Sequence, residues 1–521
     1  MIIDGRTIPS GTLVDVDLCI VGGGIAGISL ALQYRDTPDV TVALVESGGR
    51  DWDARTQDLS DADAIGQAYF PLKETHLRVL GGSSLSYGGI CTQLPPIQFE
   101  ERSWVPDSGW PITKSDLDQY LPRAYELFEV DAPDTEAGPG SAPGTEWLEV
   151  AFSPPTRFGK RYASALDAAA KVTTYLHSTV TQIVPHPDGR HIEAVEVSTF
   201  DGNEYRIGAR HFVLAGGGIE VPRLMLASNR VVSVGIGNEH DNVGRYFQEH
   251  VRVKDRYRLP ERSEALATRV IGAAGTLRFS RLGVSEAAQR EEELLDYYVN
   301  VAFGFACQDS PQWTALRRIV NARRSPWSDS PYYQDIGGGP NRIRREDIKA
   351  VLVRPDRSFL SLVGAGLRPA WLRRWLELDS SVEQAPHRDN RVVLSGEKDE
   401  LGMPKAELHW RLDGNEERSY RRGLELVLEE LDGLAPGIKH NRIDDPDPWP
   451  DEVIGTWHHV GTTRMHADPH RGVVDADAKV HGIDNLYIVG SSVFPTSGAT
   501  SPSLTIACLA LRLKDHLATH G

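Results

Sequence analysis

Two adjacent imidazoles, His458 and His459 in the segment TWHHVGTTRM, are the residues of this chain best suited to proton transfer. A histidine with a pKa of about 6.5 can take the proton of an alcohol, whose own pKa lies far above neutrality. Losing that proton together with a hydride from the same carbon is an alcohol oxidation, which needs a two-electron acceptor. A binding loop for one stands at the other end of the chain. Gly22, Gly24 and Gly27 in VGGGIAGISL form GxGxxG between an apolar run and a helical one. The first glycine allows a tight turn, the second lets the backbone approach a pyrophosphate, and the third lets helix and strand pack closely. Glu46, 22 residues beyond Gly24, can accept from both ribose hydroxyls and would repel a 2'-phosphate. Together they indicate an adenine dinucleotide without separating NAD from FAD.

The elements that must position these groups follow from periodicity. VDVDLCIV (14–21) reads as a buried strand, residues 25–34 as a helix and 40–45 as a second strand, which make a βαβ unit. Thr113 and Asp116 cap an expected helix over 114–130, with Leu117, Leu121, Ala124 and Phe128 on one face and a kink at Pro122. DAPDTEAGPGSAPGT (131–145) has no apolar period and reads as a linker. Alternating stretches from His177 to Leu214 read as a hairpin-rich sheet running into AGGGIEVPRLMLAS. Strands are expected near Val251–Leu259, Tyr297–Cys307 and Arg391–Leu394. Ser501-Pro502 is a good helix start, with serine as cap and proline in the first turn.

The 521 residues exceed one ordinary domain, and 73 acidic against 56 basic residues give a formal charge of -17. That balance argues against nucleic acid or an anionic membrane as main partner and favours cationic small molecules. Four scattered cysteines without CxxC or zinc spacing point to a reduced, cytoplasmic protein with no metal site. The start, MIIDGRTIPSG, lacks the pattern of a secretory signal, and no stretch reaches the ~20 apolar residues of a membrane span. WTALRRIVNARRSPW from Trp313 and LRPAWLRRWLELD from Leu367 are basic and aromatic, and suit a membrane surface, a subunit contact or a lid as well as a solvated face.

Three further segments resemble the glucose-methanol-choline (GMC) flavoprotein oxidoreductases. They are RVLGGSSLSYGGI (78–90) with the following SGWPITKSDLDQYLPRA, VLAGGGIEVPRLMLAS (213–228), and HHVGTTRM through GVVDADAKVHGIDNLYIVGSSVFPTSGATSPSLTIACLALRL. The resemblance implies an α/β (α+β overall) fold: a Rossmann-like FAD domain from discontinuous segments, and a substrate domain whose antiparallel sheet covers the flavin. The expected division is 1–235 and 451–521 for FAD and 236–450 for substrate. The resemblance further implies that Val180 meets the adenine, that Gly81, Gly82, Ser83 and Ser84 approach the flavin and its phosphates, and that Gly490 and Ser491 flank the ribityl chain. Gly216 belongs to the second signature. The helix after Pro502 would aim its positive end at the flavin. Ser86 stands where some relatives attach flavin through histidine, so FAD is expected to be noncovalent.

By the same resemblance His458 matches the general base, and Ser501 takes the place of the usual Asn or His partner. His459 and Glu383 are candidate substrate contacts. The implied reaction is oxidation of a polar, sugar-like alcohol, with a cationic aminosugar the specific expectation and a neutral glycoside its rival. Dioxygen or another acceptor would reoxidise the flavin, and a homo-oligomer is compatible with the family. A hydroxynitrile lyase, in which FAD performs no net redox, is the alternative of another class, and an NAD-linked protein a third.

Overall fold

The computed structural model describes all residues except 132–137, 155, 262, 272–279, 325–342, 368, 444–448, 450–452 and 521. The βαβ reading lies at its centre. Leu13–Val21 is flanked on both sides by parallel neighbours, Val42–Val45 and Glu204–Leu214. An eight-stranded sheet extends outward through Val172–Leu176 and Ile2–Asp4 on one side, and through the antiparallel Ile192–Ser198 and Thr179–Pro185 on the other. The C-terminal Leu486–Ile488 returns in parallel beside Phe212–Leu214. A strand more than 270 residues downstream of Leu214 thus completes the same sheet, so the segment bearing His458 and Ser501 is carried back to the glycine loop.

The helix Ser503–His520 closes one face of that sheet against Ile25–Leu32. Leu504, Ala507, Cys508 and Leu511 recur at helical spacing and are all buried, each large apolar side chain contributing about 2 kcal/mol. Ser501 does not cap this helix. The helix begins at Ser503, with the Pro502 carbonyl accepting from Ile506 N at 2.9 Å. Its N-terminal position is therefore taken by proline, and the serine hydroxyl is left without that bond.

Above the first sheet lies a six-stranded antiparallel sheet in the order Val251–Arg258, Arg373–Val382, Tyr297–Phe305, Ser280–Val284, Thr145–Glu149 and Gly138–Pro139. Gly138–Pro139 lies within the stretch expected to be a linker, 131–145, and Thr145–Glu149 begins at its last residue. The Thr145–Glu149 strand TEWLE buries Trp147 in this sheet's own core, which gives a proline- and glycine-rich segment a reason to be ordered. Residues 132–137 of that stretch lie outside the described residues. The expected helix over 114–130 is two helices, Ser115–Asp118 and Leu121–Phe128, because Pro122 fits only the first turn of the second. The Thr113–Asp116 pair forms as expected, with Asp116 accepting from Thr113 N at 2.7 Å. The first basic stretch falls on the helix Pro311–Arg324, its residues 325–327 lying outside the described residues; the second, apart from residue 368, which is also outside them, runs from the end of the helix Pro355–Leu367 through the turn Ala370–Leu372 into the strand Arg373–Val382 of this sheet.

Candidate active site

One large cavity is lined by residues from both ends of the sequence and from the segments between that were singled out for the cofactor: Gly22 to Ala26, Glu46, Gly82 to Ser84, Val180, Gly216 to Gly218, Gly490, Ser491, His458, His459, Ser501 and Pro502. The glycines divide by what faces them. A Cβ on Gly27 would lie 1.9 Å from the Gly22 carbonyl oxygen, so this glycine serves packing. A Cβ on Gly24, Gly217 or Gly490 would meet nothing within 4 Å. Those three leave open space in front of the backbone, and the helix Ile25–Leu32 starts at Gly24 without a side-chain cap. Gly81 does not line the cavity. It ties the second glycine turn to the first, its N–H donating to the Gly23 carbonyl at 2.7 Å.

Glu46 is buried with its two oxygens already engaged. Oε2 accepts from Gly23 N at 2.8 Å and Oε1 from Gly48 N at 2.7 Å. It therefore holds the glycine loop in shape as well as facing the cavity; Oε1 also accepts from Ser47 Oγ at 3.3 Å, and Oε2, with one bond, keeps lone-pair capacity for a ribose hydroxyl.

The geometry around His458 assigns a tautomer. Its Nδ1 lies 3.0 Å from Thr456 Oγ1 and 2.9 Å from His250 Nδ1. Thr456 gives its hydroxyl hydrogen to Glu249 Oε2 at 3.1 Å, so toward His458 it can only accept. At the other end Ser497 gives its hydrogen to the Gly498 carbonyl, so His250 Nε2, 3.1 Å from Ser497 Oγ, must be the donor and His250 Nδ1 is bare. From both ends the network requires a hydrogen on His458 Nδ1, which leaves Nε2 as a lone pair with no partner among the described residues. Burial, with Arg281 as the second cause, holds this imidazole down to about 3, so it is neutral at physiological pH.

Glu249 anchors the arrangement. Its Oε2 also accepts the backbone N–H groups of Thr456 and His250, each at 3.0 Å, while Oε1 accepts from Tyr69. Burial pushes the carboxyl upward. A proton on it would sit on Oε1, so Oε2 remains an acceptor in either state. His250, Glu249 and Thr456 had no sequence signal. The stretch FQEHV (247–251) is an ordinary one until the fold sets its Glu and His against residues two hundred positions away. Thr456→Val, an isosteric change, is expected to lower the anaerobic flavin-reduction rate about 10- to 100-fold with Tm unchanged, the worth of one hydrogen bond to the imidazole. A rate within twofold of the parent would show that the relay does not orient the base.

The remaining candidates separate. The Ser501 hydroxyl is buried at the cavity wall and makes no hydrogen bond among the described residues, which leaves it available to a ligand. His459 is not free in this way. It lines the cavity, but its Nε2 is 3.0 Å from the Tyr69 hydroxyl and its ring packs against Tyr69, Phe247 and His76. Glu383 is displaced from the role expected of it. It is fully buried away from the cavity, and although burial alone would raise its pKa, the Arg102 guanidinium at 2.6 Å holds the carboxyl down. That pair braces the loop at Gly498 through Gln98, which bonds both. Among the described residues no group of three or more His, Cys, Asp or Glu is placed to hold a metal.

Residues 386–510 match the family model for GMC oxidoreductase. Over 423 residues the chain is 25% identical to 2-methyl-1,2-propanediol dehydrogenase of Mycolicibacterium austroafricanum, an alignment covering 79% of this chain and 64% of that protein. It is 35% identical over 157 residues to 6'''-hydroxyparomomycin C oxidase of Streptomyces lividus, or 28% of this chain and 26% of the relative. The chain thus spans less than two thirds of the length of either relative. Among solved structures, pyridoxine 4-oxidase from Mesorbium loti has the same fold, with a TM-score of 0.58 at 17% identity over 97% of this chain and 100% of that one.

The cofactor this family and fold imply is FAD, and the residues fit it. The void before Gly24, Gly217 and Gly490 accepts a ligand that no side chain fills, and the uncapped helix start faces it with free N–H groups. The stretch that the family model matches is the one carrying Gly490, Ser491, Ser501 and His458, and the sheet returns it to the dinucleotide loop, so residues 386–510 match the GMC oxidoreductases and the cavity they complete fits FAD.

Proposed function

We propose that the protein oxidises an alcohol group on a polar, sugar-like substrate, with FAD held noncovalently. The observation that carries this reading is the unpaired, neutral Nε2 of a buried His458 in the same cavity as the glycine cradle. Bound FAD supplies the two-electron acceptor for a hydride from the carbinol carbon. His458 Nε2 takes the hydroxyl proton while Nδ1–H stays fixed on Thr456, so the ring neither turns nor changes tautomer before transfer. The charge that then appears on the imidazole is relayed as polarisation to Glu249 through the Thr456 hydroxyl. Ser501 orients the substrate oxygen, and burial keeps water from competing for the base.

The test is anaerobic flavin bleaching by a panel of sugars, glycosides and aminosugars, with peroxide measured when air is readmitted. A flavin that no alcohol bleaches would sink the reading and favour a lyase. Acid precipitation is expected to release all yellow colour from the protein, since Ser86 at the cavity wall cannot carry the flavin. The name of the Streptomyces lividus relative supports a sugar-like substrate. A cationic aminosugar rests on that name and on the charge of -17. The local charge beside His458 has the opposite sign, that of Arg281.

The pH dependence follows from the buried imidazole. Its pKa in the folded state lies below the ordinary value of 6.5, at about 3, so the base is already unprotonated throughout the neutral range. kcat/KM for the free enzyme is expected to show no acid limb near pH 6.5. The same shift makes the stability contributed by neutral His458 complete above pH 6.5 and progressively lost as pH falls from 6.5 toward 3. An acid limb at pH 6 to 7 that disappears in a His458 variant would contradict the burial.

A further inference from the structure

The helix Pro355–Leu367 is amphipathic in the opposite sense to a helix of a water-soluble core. Ser358, Ser361 and Gly364, three residues apart, form its buried side, while Phe359, Leu362 and Leu367 are 66%, 49% and 78% exposed. The small side is a fitted one. Ser358 Oγ donates to the Val351 carbonyl at 2.9 Å, and a Cβ on Gly364 would lie 2.3 Å from the Phe305 ring. Turning the helix to bury its apolar side would break both contacts. The preceding helix, Arg345–Val353, repeats the pattern, with Asp347 buried and Ile348, Leu352 and Val353 exposed. Of the sixteen large apolar side chains exposed among the described residues, eight lie between Ile343 and Trp371. Single exposed side chains are ordinary on a soluble protein, but half of them gathered on one short stretch mark a contact surface.

The charge around these side chains selects the occupant. From Ile343 to Arg374 the sequence holds eight basic and three acidic residues, in a chain whose whole balance is -17. One of the three acids, Asp347, is buried against Arg318, and another, Asp356, is paired with Arg354. The overall acidity that argues against an anionic membrane therefore does not extend to this face. A second copy docked through a twofold axis would set these cations against their own images. An anionic bilayer accepts both halves of the pattern: leucine, phenylalanine and tryptophan enter the boundary between headgroups and acyl chains, and arginine and lysine meet the phosphates. Trp371, 63% exposed and two residues before Arg373, is of the type that settles at that boundary.

The sheet holds this face away from the imidazoles. Phe305 lies opposite Arg373 at the end that joins the helices, and Tyr297 lies opposite Val382 at the other, where Val382 also pairs with Val251 beside His250. The strands between cover roughly 25 Å. We propose that the face built by Arg345–Val353, Pro355–Leu367 and Trp371 docks the protein peripherally on an anionic phospholipid bilayer. The contact is one of surface only, since among the described residues no helix is long and apolar enough to cross a membrane. It is independent of which alcohol is oxidised.

The holoenzyme is mixed with vesicles of phosphatidylcholine alone and with vesicles of phosphatidylcholine and phosphatidylglycerol in equal parts, and bound protein is measured by cosedimentation. The parent is expected to bind the mixed vesicles and not the neutral ones, and to be released as salt is raised. One variant combines Phe359→Ser, Leu362→Ser and Leu367→Ser; a second combines Arg345→Glu and Lys349→Glu. Each is expected to bind about tenfold more weakly or less, with flavin content and Tm unchanged, because the altered side chains are exposed. The two change opposite halves of the surface, so either carries the comparison if the other does not fold. A parent that binds neither vesicle, or both equally, overturns the proposal, as do variants that bind like the parent. A parent that sediments as a dimer and becomes a monomer with the three serines also overturns it, since a second copy is then the occupant. Because no turnover is needed, failure here leaves the alcohol-oxidase reading standing.

Discussion

His458→Ala is expected to slow anaerobic flavin reduction by substrate roughly 10³-fold while the protein stays yellow. The size follows from the role. General-base catalysis contributes about 10²- to 10⁴-fold, and the neighbouring imidazole cannot substitute, because His459 Nε2 is held by Tyr69. FAD retention follows from the separation of tasks. The open glycines at 24, 217 and 490 and the carboxylate of Glu46 belong to other parts of the cavity wall and keep their own hydrogen bonds. Flavin content and reduction rate, measured on the same preparation, distinguish a lost base from a lost cofactor. Reduction at near the parental rate would show that another group takes the proton.

Gly24→Val is expected to abolish flavin binding without destabilising the apoprotein, and Gly27→Ala to do the reverse. Gly24 has φ -83°, ordinary for any residue, and a Cβ placed there would meet nothing within 4 Å, so valine is tolerated until a pyrophosphate needs the same space. At Gly27 even one methyl collides with the Gly22 carbonyl, and the loop or helix must shift at a cost of about 3 kcal/mol. Flavin content after purification and the Tm of the flavin-free proteins check both halves. Equal flavin loss from equal unfolding in the two variants would mean that the open space at Gly24 is not a ligand's.

The two variants also show how a motif that is uniform in sequence divides in space. GxGxxG is legible because strand, tight turn and helix are local: the backbone conformations it needs lie within about ten residues, and hydrophobic periodicity reports them. The antiparallel hairpins of 179–214 are legible for the same reason. The strand Gly138–Pro139 is not. It lies in a stretch whose composition resembles a linker, and only pairing with Thr145–Glu149, itself held by Ser280–Val284 more than 130 residues later, makes it a strand. Pro122 predicts a kink and stands instead at a helix start, because sequence gives the restriction that proline imposes but not which side of it the chain satisfies.

By itself, the sequence determined the chemistry available: a dinucleotide loop at Gly22 to Gly27, an acid at Glu46, an imidazole pair at His458 and His459, and a hydroxyl at Ser501 in a family pattern. Tertiary structure alone decided which of these are free to react. His459 is bonded to Tyr69, Glu383 is paired with Arg102, and Ser501 is released from capping because the helix starts two residues later. His250, Thr456 and Glu249 orient the base. The reason is that reactivity here depends on where a side chain's last lone pair or hydrogen goes, and those partners lie up to several hundred residues away, beyond the reach of any local pattern.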